Sequence, residues 1–355
     1  MKIVTEKTLT PKQKPIDEGQ LGFGKIFTDH MLLIDYDQQK GWHNGRIVPY
    51  GDFSMDPASM VFHYGQAIFE GMKCYRTKEG NLQLFRPLDN FIRMNESSKR
   101  LSIPPMDPSQ RLEALEELLR LEKDWVPKNP GTTMYIRPAI IATQAMLGVK
   151  ASSTYLFFVI LSPSGAYYAN GLAPVGIYVE DEFVRAVRGG IGASKAAGNY
   201  AASILASEAA GEKGYAQVLW LDGVERKYIE EVGAMNMMFV YEGKKIVTPK
   251  LNGSILPGIT RDSVIKLARH MGFEVEEAQM SIQEVFEDIQ QGKITEAFGT
   301  GTAAVISPVG HLYWKGTTAK LGDGGIGPIS QKLYDTLTGI QFGEIEDPMG
   351  WVHTL

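Results

Sequence analysis

The order of apolar and polar positions divides the chain into short strands and a few amphipathic helices. Residues 1–20 are polar, carry prolines at 11 and 15, and predict a loose arm. Residues 27–36 (FTDHMLLIDY) predict a strand, and residues 41–49 (GWHNGRIVP) predict a hairpin that turns at Asn44-Gly45. Asp107 followed by Pro108 is a helix start, after which Leu112, Leu115, Leu118 and Leu119 recur at helical spacing. Strands follow at 134–142 and 155–161. Residues 162–176 (SPSGAYYANGLAPVG) then turn rich in glycine, proline and serine between two apolar strands, the composition of an interdomain connection. Beyond it the pattern predicts strands at 174–180, 217–222, 235–240 and 294–298 and a helix at 199–211. A further helix at 261–271 opens after Thr260, stops at Gly272, and aligns Val264, Leu267, Ala268 and Met271 on one face. Strands and helices mix in both halves without internal repeats. The expected class is a two-domain α+β or α/β protein, with an N-terminal domain over 1–169 and a C-terminal domain over 170–355.

Composition narrows the function classes. Hydrophobic residues at 44% and charged residues at 22% of 355 disfavour disorder and collagen-like chains. With 36 basic and 41 acidic residues the formal charge is −5, which gives no electrostatic case for a nucleic-acid or anionic-membrane partner. The single cysteine, Cys74, removes internal disulfides and every multi-thiolate zinc site, so no metal is expected. No apolar run has the length of a signal peptide or a bilayer span, and the chain is expected to be cytoplasmic. What stands out is 38 glycines, with 15 phenylalanines and 15 tyrosines. Glycine lets backbone approach a ligand, and aromatics line apolar pockets.

Four segments gather chemistry. Residues 189–200 (GGIGASKAAGNY) set one lysine, Lys195, among small residues. A lysine shielded from water favours its neutral form, and a neutral amine can condense with an aldehyde. The alternative is a surface lysine in a flexible loop. Residues 257–262 (PGITRD) bring glycine and threonine to a helix start, either an ordinary cap or an anion site of free N–H groups. Residues 299–303 (GTGTA) follow a strand, and form either a tight turn or a backbone nest for an anion. Their spacing matches neither a Walker loop nor a dinucleotide fingerprint. Glu230 and Glu231 enter an apolar strand region, where they are either a solvated turn or buried acids that need partners. Together these are the parts that hold an aldehyde cofactor bearing a phosphate and a protonatable ring nitrogen.

FGK (23–25), TDHM (28–31), FEGMK (69–73), YIRP (135–138), residues 195–200, LPGITR (256–261) and GTGTA (299–303) occur in this order along nearly the whole chain. With them the sequence resembles the branched-chain amino acid aminotransferases, the class IV, fold-type IV pyridoxal-phosphate enzymes. The resemblance implies a smaller N-terminal domain and a larger C-terminal domain that carries the lysine, with pyridoxal 5′-phosphate between them. It implies Lys195 as the lysine that joins the cofactor and carries protons, Glu231 at the pyridine nitrogen, and Tyr200 at the ring's 3′ oxygen. Arg93, otherwise readable as a solvated helix charge, corresponds to the arginine that meets the phosphate, with the backbone of Ile259 and Thr260 and with Thr302. Phe23, Tyr64, Phe69, Tyr135 and Tyr167 correspond to the side-chain pocket. The N–H groups of Thr302 and Ala303 correspond to those facing the α-carboxylate, and Arg137 to the arginine associated with the glutamate side chain. The implied reaction is reversible, ping-pong amino transfer between leucine, isoleucine or valine and 2-oxoglutarate by a homodimer. Alternatives of the same fold are D-amino-acid aminotransferase and aminodeoxychorismate lyase; a phosphate-ligand binding protein without turnover is a further one. Some animal members carry Cys-x-x-Cys after the GTGTA turn. Here those positions are Ala304 and Ser307, so thiol control is not expected there.

Overall fold

The computed structural model describes residues 1–165 and 172–355, and the chain forms two units. The first comprises Met1–Ala169, Ser194–Ala197 and Ile340–Leu355, and the second Asn170–Ala193 and Gly198–Gly339. This corrects the expectation that everything after residue 169, the lysine included, belongs to a C-terminal domain. Pairing explains the exchange. Val352–Thr354 adds an antiparallel strand beside Leu82–Phe85, and Ala196 bridges to Ile68.

In the first unit a sheet runs in the order Val4–Thr5, Gly41–Pro49, His30–Asp37, Thr154–Ser164, Thr133–Ala142, Met72–Arg76, Leu82–Phe85 and Val352–Thr354, with Ala67–Phe69 also paired to Thr133–Ala142. Alternation along Thr154–Ser164 turns Tyr155, Phe157, Val159 and Leu161 into the core. Helices Pro87–Arg100 and Pro108–Leu121 supply Phe91, Met94, Leu112, Leu115, Leu118 and Leu119 to the same core. The second helix starts as its sequence predicts, with Asp107 accepting from the Ser109 N–H at 2.9 Å. Each fully buried leucine on it contributes roughly 1.5–3 kcal/mol.

The hairpin expected within 41–49 is one continuous strand, Gly41–Pro49. The chain reverses earlier, after Asp37, whose carboxylate accepts from the N–H groups of Gln39 and Lys40. Asn44, at φ 55°, lies where the register shifts and reaches back to Asp35, so Asn44-Gly45 marks an irregularity and not a turn.

In the second unit six strands close on themselves: Ile229–Val232, Gln217–Leu221, Val175–Glu180, Val305–Trp314, Ile294–Gly301 and Met235–Tyr241, the last pairing back to the first. Closure leaves those strands without open edges. It runs through Gly233 at φ 56°, where a Cβ would lie 2.0 Å from Gln217 Oε1. Lys245–Pro249 and Glu274–Ala278 extend the sheet, and Ile282–Gln290 packs Ile282, Val285, Phe286 and Ile289 on its core. The helix expected at 199–211 is two, Ala197–Ala201 and Ile204–Glu212. Ser203 Oγ donates to the Tyr200 carbonyl at 2.8 Å at the break.

Candidate active site

The first unit assembles a cationic, aromatic wall. Helix Pro87–Arg100 turns Arg93 and Ser97 to its buried face, about one turn apart. Arg93 donates through Nε and Nη2 to the two oxygens of Glu70 at 2.8 and 2.7 Å, a bidentate pair with both members buried. Arg93 is therefore not the solvated charge that its helix position alone suggests. Ser97 Oγ accepts from the Lys195 N–H at 2.9 Å, and the Lys195 carbonyl accepts from the Phe69 N–H at 3.1 Å. These contacts carry Lys195 Nζ to 4.9 Å from the Phe69 ring centroid.

The guanidinium of Arg137 lies 4.8 Å from the same Phe69 centroid and 5.3 Å from that of Tyr135. Arg137 Nη2 donates to the Tyr135 hydroxyl at 3.1 Å, and Phe23 meets Tyr135 edge to face at 4.8 Å. Gly71 makes this arrangement possible, since a Cβ there would stand 2.3 Å from the Tyr135 oxygen. Phe23, Phe69, Tyr135, Arg137 and Lys195 are thus brought together. Tyr64 is exposed and its hydroxyl donates to the Leu147 carbonyl. Tyr167 lies outside the described residues.

In the second unit Glu230 and Glu231 are both buried, not a solvated turn. Glu231 Oε1 accepts from the Leu256 N–H at 2.7 Å and lies 3.3 Å from Arg185 Nη2. Arg185 also donates to the Ser254 carbonyl, and Ser254 Oγ donates to Glu230. Asn236, opposite Glu231 across the strands, donates to the Leu256 carbonyl at 2.9 Å. The carboxylate and the amide thereby fix the segment that leads into helix Ile259–His270. Gly258 caps that helix with no side-chain acceptor, and a Cβ there would lie 2.1 Å from Asn236 Oδ1. The N–H groups of its first turn, including Ile259 and Thr260, have no partner within the helix itself.

Thr302 and Ala303 sit, half-buried, at the tip between the paired strands Ile294–Gly301 and Val305–Trp314. Thr300, just before them, is buried with a hydroxyl that finds no partner among the described residues. Tyr200 is on the short helix Ala197–Ala201. Cys74 is fully buried, and burial pushes its thiol up to about 12, so it is unreactive.

Sequence reasoning did not find Glu70, Ser97, Arg185, Ser254 or Asn236. Glu70 left a trace inside the FEGMK motif and Asn236 at the end of the segment that the acidic pair opens, while the others act through partners distant in sequence. Among the described residues no helix is long and apolar enough to cross a membrane.

The family model described as amino-transferase class IV matches residues 67–312. Branched-chain-amino-acid aminotransferase 2 of Bacillus subtilis is 56% identical over 349 residues, 98% of this chain and 96% of that protein. The crystal structure of Escherichia coli branched-chain amino acid aminotransferase superposes with a TM-score of 0.77 at 29% identity, covering 91% of this chain and 98% of that one. The T.th. branched-chain amino acid aminotransferase complexed with N-(5′-phosphopyridoxyl)-L-glutamate superposes with a TM-score of 0.76 at 28% identity, covering 91% and 97%. An amine beside an aromatic wall, a guanidinium at its edge and a buried carboxylate agree with this relationship: the chain belongs to the class IV aminotransferases.

Proposed function

We propose that the chain is a pyridoxal-phosphate-dependent transaminase that moves an amino group reversibly between L-leucine, L-isoleucine or L-valine and 2-oxoglutarate. The observation that carries this reading is the Phe69 ring, with the Lys195 amine and the Arg137 guanidinium both within 5 Å of its centroid. One wall thus offers an amine for an aldehyde, an apolar surface for an aliphatic side chain, and a cation for a carboxylate. Similarity to branched-chain enzymes over 98% of the chain supports the substrate class.

The residues present fit the cofactor. The helix start at Gly258 has backbone donors and no side-chain cap, and the Thr300 hydroxyl is buried and orphaned, both suited to a phosphate. When bound, pyridoxal phosphate supplies an electron sink for the pair left as the substrate's Cα proton departs. Lys195 Nζ carries that proton, Glu231 keeps a proton on the pyridine nitrogen, and the Tyr200 hydroxyl bonds the ring's 3′ oxygen. Arg93, its plane fixed by Glu70, binds the phosphate with the backbone of Ile259 and Thr260 and with Thr302. Phe23, Phe69, Tyr135 and Tyr167 hold the aliphatic side chain, Thr302 and Ala303 the α-carboxylate, and Arg137 the distal carboxylate of glutamate. The lone, inert Cys74 suits work in the cytoplasm.

We infer a homodimer from one surface of the first unit. Phe62, Leu147 and Val149 are 61%, 65% and 84% exposed, around the loop that Tyr64 grips through Leu147. A second copy would bury them, with Tyr64 closing the partner's pocket. Sedimentation should show a dimer that Leu147→Asp dissociates.

Leucine with 2-oxoglutarate should give 4-methyl-2-oxopentanoate, and borohydride should fix the cofactor on Lys195 by mass spectrometry. Turnover of D-alanine without leucine turnover would overturn the substrate assignment. Lys195→Ala should lower kcat by about 10³-fold or more. Arg137→Ala should lower kcat/KM at least about tenfold more with glutamate than with leucine, and equal losses would remove its role.

A further inference from the structure

The segment Thr28-Asp29-His30, part of the family motif but unused in the chemistry above, ties down the arm that the sequence predicts to be loose. The Thr8 N–H donates to His30 Nε2 at 2.9 Å, and the Lys12 N–H to Asp29 Oδ1 at 2.8 Å. Lys12 Nζ donates to the carbonyls of Phe27 and Thr28 and lies 4.3 Å over the Tyr50 ring. Lys14 Nζ lies 5.6 Å from the Trp125 ring, and Glu18 accepts from the N–H groups of Lys128 and Asn129. The arm then enters the Gly22-Phe23-Gly24 turn, where both glycines have φ above 60° and the Gly22 carbonyl accepts from the Gly165 N–H at 2.9 Å.

His30 is buried and bonded on both sides, with Nδ1 on the buried carboxylate of Glu122. With Nε2 accepting the Thr8 backbone N–H, Nδ1 is the ring nitrogen left to donate to Glu122. A proton added to this pair puts a hydrogen on Nε2, whether by forming imidazolium or by protonating Glu122 toward Nδ1 and shifting the tautomer. That hydrogen faces the Thr8 N–H, and the arm loses its acceptor. The acids beside the ring are Glu122 and Asp29, the chain neighbour of His30, and the nearby cations are Lys12 and Lys14 of the arm, whose Lys12 N–H bonds Asp29. Burial raises the Glu122 carboxyl above its ordinary range, with His30 opposing and Asp29 adding to the rise.

We propose that Asp29 and His30 form a proton-sensitive clasp that fixes the N-terminal arm and, with it, the glycine turn carrying Phe23. Hydrogen exchange on the full chain, corrected for intrinsic rates, tests this. Protection of the Thr8 and Lys12 amides, and of the amides of the 22–24 turn, should fall about tenfold or more between pH ~7.5 and pH ~5, the loss of roughly one hydrogen bond. Leu32 and Ile34, in the core strand beside the clasp, should keep theirs. In His30→Gln the side-chain oxygen accepts without titrating, so the arm should stay protected at both values. Equal protection of the wild-type arm at the two values, or the same fall in His30→Gln, overturns the clasp. Imidazole nitrogen shifts of the wild type provide a second measurement that needs no variant. A neutral Nδ1–H ring near pH 7.5 that charges or switches tautomer near pH 5 supports the clasp, and imidazolium at both values overturns it.

Discussion

Glu70 in the first unit and Asp222 in the second are both almost fully buried, yet they answer to different partners. Glu70 meets a side chain, the guanidinium of Arg93, and Glu122 likewise meets the ring of His30. Asp222 meets backbone: its two oxygens accept the N–H groups of Val224, Glu225, Lys227 and Tyr228 at 2.8–3.1 Å. Glu296 takes the N–H groups of Ile329 and Ser330, and Glu180 those of Glu182 and Phe183. A side-chain pair can be cut from either end and rearranged, whereas a backbone donor does not titrate and is removed only by proline. These three acids of the second unit thus fix its loops through backbone donors. In the first, Glu70 and Glu122 orient the Arg93 guanidinium and the His30 ring through direct side-chain pairs, and Glu70 accepts one longer backbone bond, from the Gly71 N–H at 3.3 Å.

Cutting Glu70 is the strongest way to probe this contrast. Glu70→Ala leaves Arg93 buried without its carboxylate and should cost about 3–5 kcal/mol in denaturant unfolding, whereas replacing both residues by methionine should recover most of that stability. Cofactor affinity should fall in both variants, because the guanidinium is displaced in one and absent in the other. If the double variant stays as unstable as the single, the loss does not come from the stranded guanidinium. Asp222→Ala should cost roughly 2–4 kcal/mol by stranding four N–H groups, and Asp222→Asn less, since one amide oxygen still accepts. A loss below ~1 kcal/mol in chemical denaturation would mean water replaces the carboxylate.

Acid should separate the units by the smallest effect. Burial alone would raise the Asp222 carboxyl, but its backbone donors outweigh burial and hold it below the ordinary 3.8. A depressed folded value means that this stabilisation is fully present above the unfolded value and is lost as pH falls through the lower folded one. Amides of the 222–228 loop should therefore stay protected at pH ~4.5, where those of the arm have already loosened.

Legibility followed the reach of each interaction. Helix Pro108–Leu121 was readable because Asp107 caps it locally and four leucines declare one face. Strand alternation at 154–164 was readable for the same reason. Asn44-Gly45 misled because its meaning depends on Asp35 in the neighbouring strand. Arg93 reads as solvent-facing until Glu70, on another element, is known. The glycine-rich loop 322–329 stayed mute because it wraps Glu296, where a Cβ at Gly327 would lie 2.0 Å from that carboxylate. The resemblance supplied residue identities that periodicity could not, but it named ligand-facing groups and left out the second tier that orients them.

The strand Val352–Thr354 has a consequence for the order in which the molecule is made. It completes a sheet whose other strands lie before residue 165, and Ser194–Ala197 reaches that same unit from the middle of the chain. At about 5–20 residues per second of synthesis, the Leu82–Phe85 edge waits on the order of fifteen to fifty seconds for its neighbour. During that time the nascent first unit exposes an unpaired edge on the ribosome, and the second unit can close its ring first.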